Sequence, residues 1–559
     1  MNKDVETEFI VADAIVEELV KSGVEVVFGI VSIHNMPIYD AIKRDGSIYC
    51  VTARGESGAV NMADGYARTT GKLGVVITST GTGAGNGAGS LVEAWNAGAP
   101  VLHLTGEVSS SYLGMENGYI HQCKDQHSMM KGACKNAHLL KKPNQIYPFI
   151  RQAINQALTP PQGPITVEIP INYQSAIITK NNYMENTRTF GNPQDISLSI
   201  VKKIRAAKRP VLWTGSGAIA SDAAEQVTEL AELIGAPVIT SQAGKGIIPE
   251  DHPLCIGHFA SYPEVQRLLK EADLLISIGI RFRSNETASW KVEIPKEHIS
   301  IDIDQNAINR NYECTHSIIG DAKDIVDQLL THLHQESNEK LHEYRHEVEN
   351  VRNQVRQSLR STLGPYEQFV DAMNDILPDN AILVRDVTVP ANVWGSRLVD
   401  ISKPRTSIHA SGGGIGQGLP TAIGAHFGEK NRSVVLMAGD GGFMVNVGEM
   451  STAVQENLPL VVLLFDDGGY GVLRSIQNNA YGRQVAVDLN SPDFVSLARS
   501  MGFTAMKIRS ANDFTLKLSE SIKSKKPTLL MIDMQAVGPM AKPFEGPPGA
   551  AEAFQPKKI

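Results

Sequence analysis

Cysteine, aromatic residues and long apolar runs are all scarce in this chain. Five cysteines stand among 559 residues without a C-x-x-C pair, and aromatic residues make up only 6% of the sequence. This sparse, odd set of thiols excludes a disulfide-stapled scaffold and predicts reduced cysteines in a cytoplasmic protein. No apolar run reaches the roughly 18 residues of a membrane-spanning helix, so we expect no membrane partner.

An excess of basic charge is also missing. The chain has 52 Lys and Arg residues against 60 Asp and Glu residues, a net charge of −8, which offers no general attraction to nucleic acid or to an anionic membrane. The first residues, Met1-Asn2-Lys3-Asp4, are polar and charged, unlike a signal peptide. What remains is the composition of a globular protein, 42% apolar, with a length that predicts two to four domains.

Helical and strand patterns alternate along most of the sequence. This alternation predicts an α/β protein with three doubly wound parallel-sheet domains. We place their boundaries at 1–178, 194–335 and 362–535, with a polar linker between the first two. The tail, 536–559, is rich in proline and glycine, so we expect it to close over a site as a lid or to be disordered.

Two apolar strands of the third block end abruptly in glycine and carboxylate. Residues 439–442 read Gly-Asp-Gly-Gly and residues 466–469 read Asp-Asp-Gly-Gly, so Asp440 and Asp467 lie 467 − 440 = 27 positions apart. Ligands bind at the carboxyl edge of such sheets, where two carboxylates can hold one hard cation and glycine amides can approach an anion. The pair predicts a magnesium-bridged diphosphate, although either half alone is better explained by a turn with a solvated aspartate.

The segment between these strand ends, 443–457, is long enough for a helix, which completes a strand–loop–helix–strand unit. The pattern resembles the signature of the thiamine diphosphate-dependent enzymes, in which Gly-Asp-Gly is followed by a helix, a strand and a double asparagine. Here Asp466 and Asp467 replace the two asparagines. The extra negative charge beside an anionic cofactor calls for compensation by the metal or by a nearby cation.

The resemblance assigns roles to the residues of this signature. Asp440, Asp467 and the backbone carbonyl of Gly469 are implied to hold Mg2+. The remaining implied cofactor contacts are the backbone amides of Gly441 and Gly442 at the diphosphate, together with Tyr470 and Gly471.

A carboxyl also stands where a strand gives way to a helix in the first block, at Glu56. By itself a glutamate there is explained by the favourable charge at a helix N-terminus. However, segment 51–68 resembles the pyrimidine-domain motif of the same family, which gives Glu56 the place of the residue that hydrogen-bonds N1′ of the aminopyrimidine. Such a carboxyl promotes the imino tautomer, whose nitrogen removes the C2 proton of the cofactor. Gly55 stands where the family often has histidine, so that histidine's role is absent or moved.

A glycine-rich segment, 411–420, precedes a predicted helix at 421–427 in the third block. Such loops either cradle phosphates or allow close packing of a helix on a sheet. The resemblance instead gives Ile415 the position of the apolar residue that wedges beneath the cofactor, and the Gly413 carbonyl that of an acceptor for its 4′-amino group. Val387 and Thr388, at the end of another strand, are implied to add diphosphate contacts.

The family resemblance also bears on the central block and on assembly. In some relatives the central block binds FAD or ADP. This chain has no complete G-x-G-x-x-G followed by an acidic residue, so FAD stays a possible cofactor but the less favoured one. In the family the pyrimidine domain of one subunit faces the diphosphate domain of its neighbour. We therefore expect a homodimer or homotetramer with active sites at subunit interfaces.

Substrate choice depends on three short segments. The chain resembles the acetolactate synthase and benzoylformate decarboxylase branch most, through the loop 79–86 with Thr80 and through His121 and Gln122, which we assign as catalytic residues beside Glu56. A surface loop is the alternative for His121 and Gln122. Ile33 and His34 replace the usual Pro-Gly-Gly segment and are expected to reshape the substrate pocket.

These assignments favour a decarboxylating carboligase that takes a 2-oxo acid, with pyruvate as the donor, and joins the fragment to a second carbonyl compound. The alternative is a decarboxylase of the benzoylformate decarboxylase type that releases an aldehyde. Gln122 favours the first reaction, whereas segment 470–474 favours the second. A third interpretation, from a different class, is a relative that binds nucleotide or a partner and has lost catalysis.

Overall fold

Eighteen parallel strands form three six-stranded sheets in the computed structural model, which describes residues 8–180, 196–334 and 342–546. Helices flank the strands of each sheet in the sequence. The predicted fold class is confirmed. Most strands of the three sheets are buried along their whole length, as expected for parallel strands covered on both faces.

The first sheet has the strand order β2-β1-β3-β4-β6-β5. Its strands are β1 (Val26–Gly29), β2 (Tyr49–Thr52), β3 (Gly74–Thr78), β4 (Val101–Glu107), β5 (Asn136–Leu139) and β6 (Ile165–Pro170). Its helices are α1 (Val11–Lys21), α2 (Met36–Asp45), α3 (Glu56–Thr70), α4 (Thr82–Ala97), α5 (Gln126–Ala133), α6 (Ile146–Leu158) and α7 (Ile171–Gln174).

The central sheet has the order β12-β11-β10-β7-β8-β9, which is that of the doubly wound dinucleotide-binding fold. Its strands are β7 (Pro210–Thr214), β8 (Val238–Thr240), β9 (Cys255–Gly257), β10 (Leu274–Ile278), β11 (His298–Asp302) and β12 (His316–Ile319). The helices of this stretch are α8 (Leu198–Ala206), α9 (Ser216–Ala220), α10 (Ala224–Ile234), α11 (Pro263–Glu271), α12 (Ala322–Leu333) and α13 (His342–Arg360).

The third sheet, β14-β13-β15-β16-β18-β17, repeats the topology of the first. Its strands are β13 (Ile382–Arg385), β14 (Ser407–His409), β15 (Val434–Gly439), β16 (Leu460–Asp466), β17 (Thr504–Ile508) and β18 (Thr528–Asp533). The helices of this stretch of the chain are α14 (Glu367–Ile376), α15 (Gly418–Gly428), α16 (Asp440–Phe443), α17 (Glu449–Gln455), α18 (Gly471–Tyr481), α19 (Phe494–Ser500), α20 (Ala511–Ser524) and α21 (Met534–Val537).

The chain divides into two compact units that do not follow sequence order. One unit contains the first sheet with residues 410–431 and 445–458, which carry α15 and α17. The other contains the central and third sheets, whose apolar side chains form one continuous core. The three predicted domain boundaries stay predictions.

Segment 443–457 is not the single helix that its length suggested. Helix α16 ends at Phe443, a short 3-10 turn spans Met444–Asn446, and α17 begins only after Gly448. Glycine is a poor helix former, and the Asn446 side chain donates a hydrogen bond to the Gly416 carbonyl at 2.7 Å. That contact is with a distant part of the chain, so the local pattern did not predict the break.

Helices α3 and α15 cross in the first unit at two glycines. A Cβ on Gly65 of α3 would collide with the Thr421 carbonyl of α15, and a Cβ on Gly424 of α15 would collide with the Met62 carbonyl of α3. The neighbour is backbone in both cases, so it cannot move aside as a flexible side chain can. The two glycines therefore set the distance between the helices.

Replacing Gly65 with alanine should lower the thermal unfolding midpoint of the chain. Alanine gains about 1 kcal/mol of helix propensity over glycine, but the collision with backbone costs about 1–3 kcal/mol, and we expect the collision to prevail. Gly132 of α5 is the matched control because a Cβ there meets nothing within 4 Å. Gly132→Ala should leave the midpoint unchanged or raise it; a rise in Gly65→Ala as well would contradict the close crossing.

The predicted linker and tail fall partly or wholly outside the described residues. Residues 181–195 and 547–559 are not described, so the prediction of a lid or of disorder has no outcome for the last part of the tail. Its first part contacts residues that are distant in the sequence: the Lys542 amide donates to the Thr362 carbonyl at 3.0 Å, and the Asn479 side chain donates to the Glu545 carbonyl at 3.0 Å. Within the described ranges, no helix has the length and apolarity needed to cross a membrane.

Candidate active site

The two carboxylate-tipped strands are neighbours in the third sheet. Strand β15 pairs with β16 in parallel, with Gly439 opposite Phe465. Asp440 and Asp467 therefore leave the sheet at the same carboxyl edge, because each follows the last paired residues of its strand. The structure thus places both predicted metal ligands where ligands bind in such sheets.

Asp440 is held on several sides. Its side chain is 1% exposed and accepts a hydrogen bond from the Ser491 hydroxyl at 3.0 Å. Burial raises the pKa of Asp440, while hydrogen bonds from the backbone amides of Gly441 and Gly469 oppose that shift. The bond from Gly469 brings the end of the second strand to the first aspartate. Ser491, which lies far along the chain, had no signal in the sequence.

Asp467 is the less satisfied of the two carboxylates. Its Oδ1 is buried without a hydrogen-bond partner. Burial and then the charge of Asp440 raise the pKa of Asp467 to about 6. A buried carboxylate oxygen that accepts no hydrogen bond, beside a second carboxylate, is a site that a cation would stabilise.

Arg474 supplies the nearby cation that the second aspartate required. Its guanidinium lies 3.7 Å from Oδ1 of Asp467 and donates to the backbone carbonyls of Asp467 and Gly468 at 3.2 Å each. It also pairs with Asp488 at 3.0 Å. Arg474 stands on the first turn of α18, and its approach to Asp467 was not predicted.

The glycines of this edge make room for neighbouring groups. A Cβ on Gly441 would lie 2.8 Å from the Tyr470 ring, and one on Gly471 would collide with the Asp467 carboxylate. Gly469 has a φ of +152°, which favours glycine, and forms an antiparallel bridge with Asp488. Gly442 is buried in α16. The sequence-predicted residues of this edge are therefore contiguous: 440–442, 467 and 469–471.

Val387 and Thr388 join the same edge from β13. Strand β13 pairs with β15, and a Cβ on Gly439 would lie 3.2 Å from the Thr388 side chain and 3.8 Å from the Val387 carbonyl. Both residues are thus beside the start of the Gly-Asp-Gly segment. Their predicted contacts with a diphosphate stay predictions.

The donor set at this edge fits magnesium better than a softer metal. In the described parts of the chain, no group of three or more His, Cys, Asp and Glu side chains is arranged to hold a metal ion. Magnesium needs only one or two carboxylates when phosphate oxygens and water complete its octahedron. Asp440 and Asp467 provide that number.

Glu56 is the first residue of α3, as the pattern indicated. Its Oε2 accepts a hydrogen bond from the Asn86 side chain at 3.2 Å, and a Cβ on Gly83 would lie 2.9 Å from its Oε1. Both neighbours belong to α4, so the first two turns of that helix face the carboxyl. Glycine at position 83 leaves the space that this carboxyl fills.

The loop with Gly413 and Ile415 has the conformation of a tight glycine turn. Gly413 and Gly416 have φ values of +77° and +83°, which an L-residue rarely adopts. The Gln417 side chain donates to the Gly414 carbonyl at 2.6 Å. Ile415 is 40% exposed although it is large and apolar, so it is available for a contact outside its own loop.

His121 and Gln122 lie in a loop beside the end of β3. His121 Nδ1 is 3.3 Å from the Ser79 hydroxyl, and its φ of +63° is in the left-handed region. The Gln122 side chain is engaged within the loop, since it accepts from the Tyr119 amide at 3.2 Å and donates to the Tyr112 carbonyl at 3.3 Å. Gln122 therefore supports the loop that carries His121.

The three predicted pocket residues differ in exposure. Ile33 is 52% exposed, whereas His34 is 2% exposed and its ring lies 5.2 Å from that of His121. Burial, followed by the charge of His121, lowers the pKa of His34. Thr80 is fully buried and donates to Gln126 at 2.8 Å, so it presents a supporting contact rather than an open surface.

Comparison with known proteins identifies the class. Family models of thiamine pyrophosphate enzymes match three regions: the N-terminal TPP binding domain at residues 10–129, the central domain at 199–329 and the C-terminal TPP binding domain at 390–532. Together they cover more than half of the chain. The chain belongs to the thiamine diphosphate-dependent enzymes.

Within that family the chain is similar to acetolactate synthases. It is 32% identical to a probable acetolactate synthase large subunit of Methanocaldococcus jannaschii, over 95% of this chain and 93% of the relative. It is 30% identical to the acetolactate synthase large subunit of Haemophilus influenzae, over 94% of each. A probable 2-ketoarginine decarboxylase of Pseudomonas aeruginosa is 31% identical over 88% of each chain. The protein is thus a thiamine diphosphate-dependent carboligase or decarboxylase, which sets aside the interpretation without catalysis.

A solved structure agrees on the fold. The structure of a candidate thiamin diphosphate-dependent enzyme from Mycobacterium smegmatis superposes with a TM-score of 0.78 at 23% identity, over 94% of this chain and 99% of that one. At this identity the likeness supports the fold alone.

Proposed function

We propose that this chain binds thiamine diphosphate through Mg2+ held by Asp440, Asp467 and the Gly469 carbonyl. The observation that carries the proposal is the shared sheet edge, where one carboxylate is well bonded and the other has a buried oxygen that accepts no hydrogen bond. The amides of Gly441 and Gly442, with Val387, Thr388, Tyr470 and Gly471, would surround the diphosphate. Thiamine diphosphate supplies an acidic C2 carbon and an electron sink for the loss of carbon dioxide.

Glu56 is proposed to hold and share a proton with N1′ of the aminopyrimidine. Its place at the start of α3, with one carboxyl oxygen bonded to Asn86, leaves the other free to face a ligand. Ile415 and the Gly413 carbonyl are proposed to shape the bound cofactor and accept from its 4′-amino group. A branched aliphatic side chain is suited to a wedge because few rotamers are open to it.

The substrate is proposed to be a small 2-oxo acid, with pyruvate as donor and decarboxylation followed by carboligation. The acetolactate synthases among the relatives support this reaction. His121 would exchange protons with the reacting carbonyl oxygen, and Ile33 and His34 would line the pocket. Gln122 and Thr80 would act through the loops that they stabilise.

The second candidate is a decarboxylase that releases an aldehyde. The similarity to a 2-ketoarginine decarboxylase favours it, and so does the departure from Pro-Gly-Gly at Ile33 and His34. These bulkier side chains would leave less room for an acceptor. The two reactions share the cofactor site and differ in what the pocket admits after carbon dioxide leaves.

A panel of 2-oxo acids separates the two candidates. With thiamine diphosphate, Mg2+ and pyruvate alone, we expect acetolactate as the main product, identified by mass spectrometry, and only traces of acetaldehyde. The same panel with the Asp440→Asn variant is the control for carry-over of another enzyme. Aldehyde as the main product from every oxo acid would favour the decarboxylase, and no product together with no retained cofactor would overturn both candidates.

FAD forms no part of the proposal. The Gly217 amide donates to the Gly279 carbonyl at 2.9 Å, and a Cβ on Gly217 would lie 2.7 Å from the Gly279 Cα. The close packing of these two loops accounts for the glycines after β7. These glycines are therefore not evidence that a nucleotide binds there. A homodimer or homotetramer is proposed from the family resemblance, which puts Glu56 of one subunit against the diphosphate site of another.

A further inference from the structure

Glu449 binds the backbone immediately before Glu56. It is the first residue of α17, is 1% exposed, and its Oε1 accepts hydrogen bonds from the amides of Arg54 and Gly55 at 3.0 Å each. Its Oε2 accepts from the Thr452 hydroxyl at 2.7 Å. A Cβ on Gly58 would collide with this carboxylate, so glycine at that position makes room for it.

Glu93 binds the backbone immediately before Gly413. It lies on α4, is 5% exposed, and its two carboxylate oxygens accept from the amides of Ser411 and Gly412. A Cβ on Gly412 would lie 2.7 Å from Oε2 of Glu93. Arg68 of α3 approaches the same carboxylate at 3.9 Å.

The two contacts are reciprocal. The first and third sheets share one strand order. Helix α3 follows β2, the second strand of the first sheet, and α15 follows β14, the second strand of the third sheet. Glu93 and Glu449 both come after the third strand, β3 or β15. Glu449, after β15, binds two successive amides of the loop that follows β2. Glu93, after β3, binds two successive amides of the loop that follows β14. The crossing of α3 and α15 is reciprocal in the same way, because each helix contributes one glycine that lies against the backbone of the other.

We propose that Glu93 and Glu449 are positioning residues that hold the two cofactor-contacting loops, Glu449 for the Glu56 loop and Glu93 for the loop of Gly413 and Ile415. Both are proposed to act through the loops that they bind, without contacting the cofactor. The proposal rests on the cofactor roles given above for Glu56, Gly413 and Ile415. Each loop follows a strand of one of the two sheets that share a topology, and the carboxylate that holds it follows a strand of the other sheet.

A carboxylate suits this role because one buried side chain accepts hydrogen bonds from two adjacent backbone amides. Charge-assisted hydrogen bonds to backbone amides are stronger than neutral ones. Loops rich in glycine are otherwise free to adopt many conformations. Small displacements of a reacting group change rates strongly, so fixing Glu56 matters more for proton transfer than for affinity.

The test replaces each glutamate with methionine, which keeps the volume and removes the acceptor, and with glutamine, which keeps one acceptor oxygen. Amide hydrogen exchange by mass spectrometry should show the Arg54–Gly55 peptide exchanging about 10- to 100-fold faster in Glu449→Met, with the Ser411–Gly412 peptide unchanged. Glu93→Met should give the opposite pattern. Glu449→Gln should recover most of the protection, because one oxygen of Glu449 accepts from both amides. Glu93→Gln should recover only part of it, because each oxygen of Glu93 accepts from a different amide.

The functional readout is exchange of the C2 proton of bound thiamine diphosphate. Glu449→Met should slow it about 10- to 100-fold at saturating cofactor, while the dissociation constant changes by less than about threefold. Glu456, just after α17, accepts a hydrogen bond from the Tyr49 hydroxyl at 2.7 Å and provides the matched control; Glu456→Met should change neither readout.

The outcomes separate this proposal from that of the cofactor site. Lost amide protection with wild-type C2 exchange overturns the positioning role, and unchanged protection in both methionine variants overturns the contacts themselves. If the unaltered chain binds no thiamine diphosphate, the proposed function fails and the positioning role fails with it, whatever the amide exchange shows. If methionine prevents folding, the glutamine variants decide: wild-type protection of the Ser411–Gly412 peptide in Glu93→Gln would overturn that contact, and wild-type C2 exchange despite lost protection in either variant would overturn the positioning role.

Discussion

Replacing Glu56 with glutamine is expected to slow C2 proton exchange of bound thiamine diphosphate by about 10²- to 10⁴-fold, the usual contribution of a positioned acid or base. The carboxamide can still form a hydrogen bond to N1′, but it cannot share a proton with it. The side chain that bonds to Glu56 is the amide of Asn86. An amide is not a second carboxyl that could take over the role of Glu56. The exchange is followed by NMR after rapid mixing with deuterated buffer in the presence of Mg2+.

Cofactor affinity should change little in Glu56→Gln, because the metal and diphosphate contacts belong to another part of the chain. Glu456→Gln provides the matched control for removal of one acidic charge from the same unit. Exchange at the wild-type rate with the cofactor fully bound would refute the role given to Glu56. Slow exchange caused only by weak binding would be recognised from its recovery at higher cofactor concentration.

The second large effect is an asymmetry between the two aspartates. Asp440→Asn should weaken Mg2+-dependent binding of thiamine diphosphate by about 100-fold or more. Loss of a residue that only hydrogen-bonds a metal ligand already lowers metal affinity by about 10- to 100-fold. Asp467→Asn should keep or improve binding, because asparagine retains an oxygen ligand and removes a charge that Asp440 repels. Titration of tryptophan fluorescence with cofactor at fixed Mg2+ measures both. A collapse of binding in Asp467→Asn would mean that the second carboxylate is specifically required.

The pH dependence checks the same asymmetry. Since the pKa of Asp467 is raised to about 6 from 3.8, Mg2+ must displace its proton below that pH, and binding should weaken as the pH falls through 6. Without metal the sign reverses: a raised carboxyl pKa stabilises the folded chain at low pH, and this stability, at most about 3 kcal/mol, is lost as the pH rises through 6. Asp467→Asn should flatten both profiles.

Arg474 should matter most when Asp467 carries its charge. Arg474→Gln is expected to weaken cofactor binding in the otherwise unaltered chain and to have a smaller effect in Asp467→Asn, which a double-mutant cycle measures. Equal effects in both backgrounds would show that Arg474 acts on the Gly468 carbonyl or Asp488 rather than on the second aspartate.

Much of the candidate site could be predicted because its signals are local. An apolar strand that ends in Gly-Asp-Gly, or a glutamate between β2 and α3, can be recognised from a few neighbouring residues. The ends of parallel strands then lie at one edge of the sheet. The break within 443–457 could not be predicted in this way, since Asn446 binds Gly416 from a distant segment. The place of Ser491 beside Asp440 has the same cause.

The sequence by itself determined the three α/β blocks, the carboxylates at the strand ends and the start of α3 at Glu56, because hydrophobic periodicity and turn residues act over a few positions. Only the tertiary structure decided how the second aspartate is compensated by Arg474 and how Glu93 and Glu449 bind the two loops. Those contacts join residues that are far apart in the chain or on different elements. Buried amides and carboxylates must find partners, but which partners they find depends on the packing of whole helices.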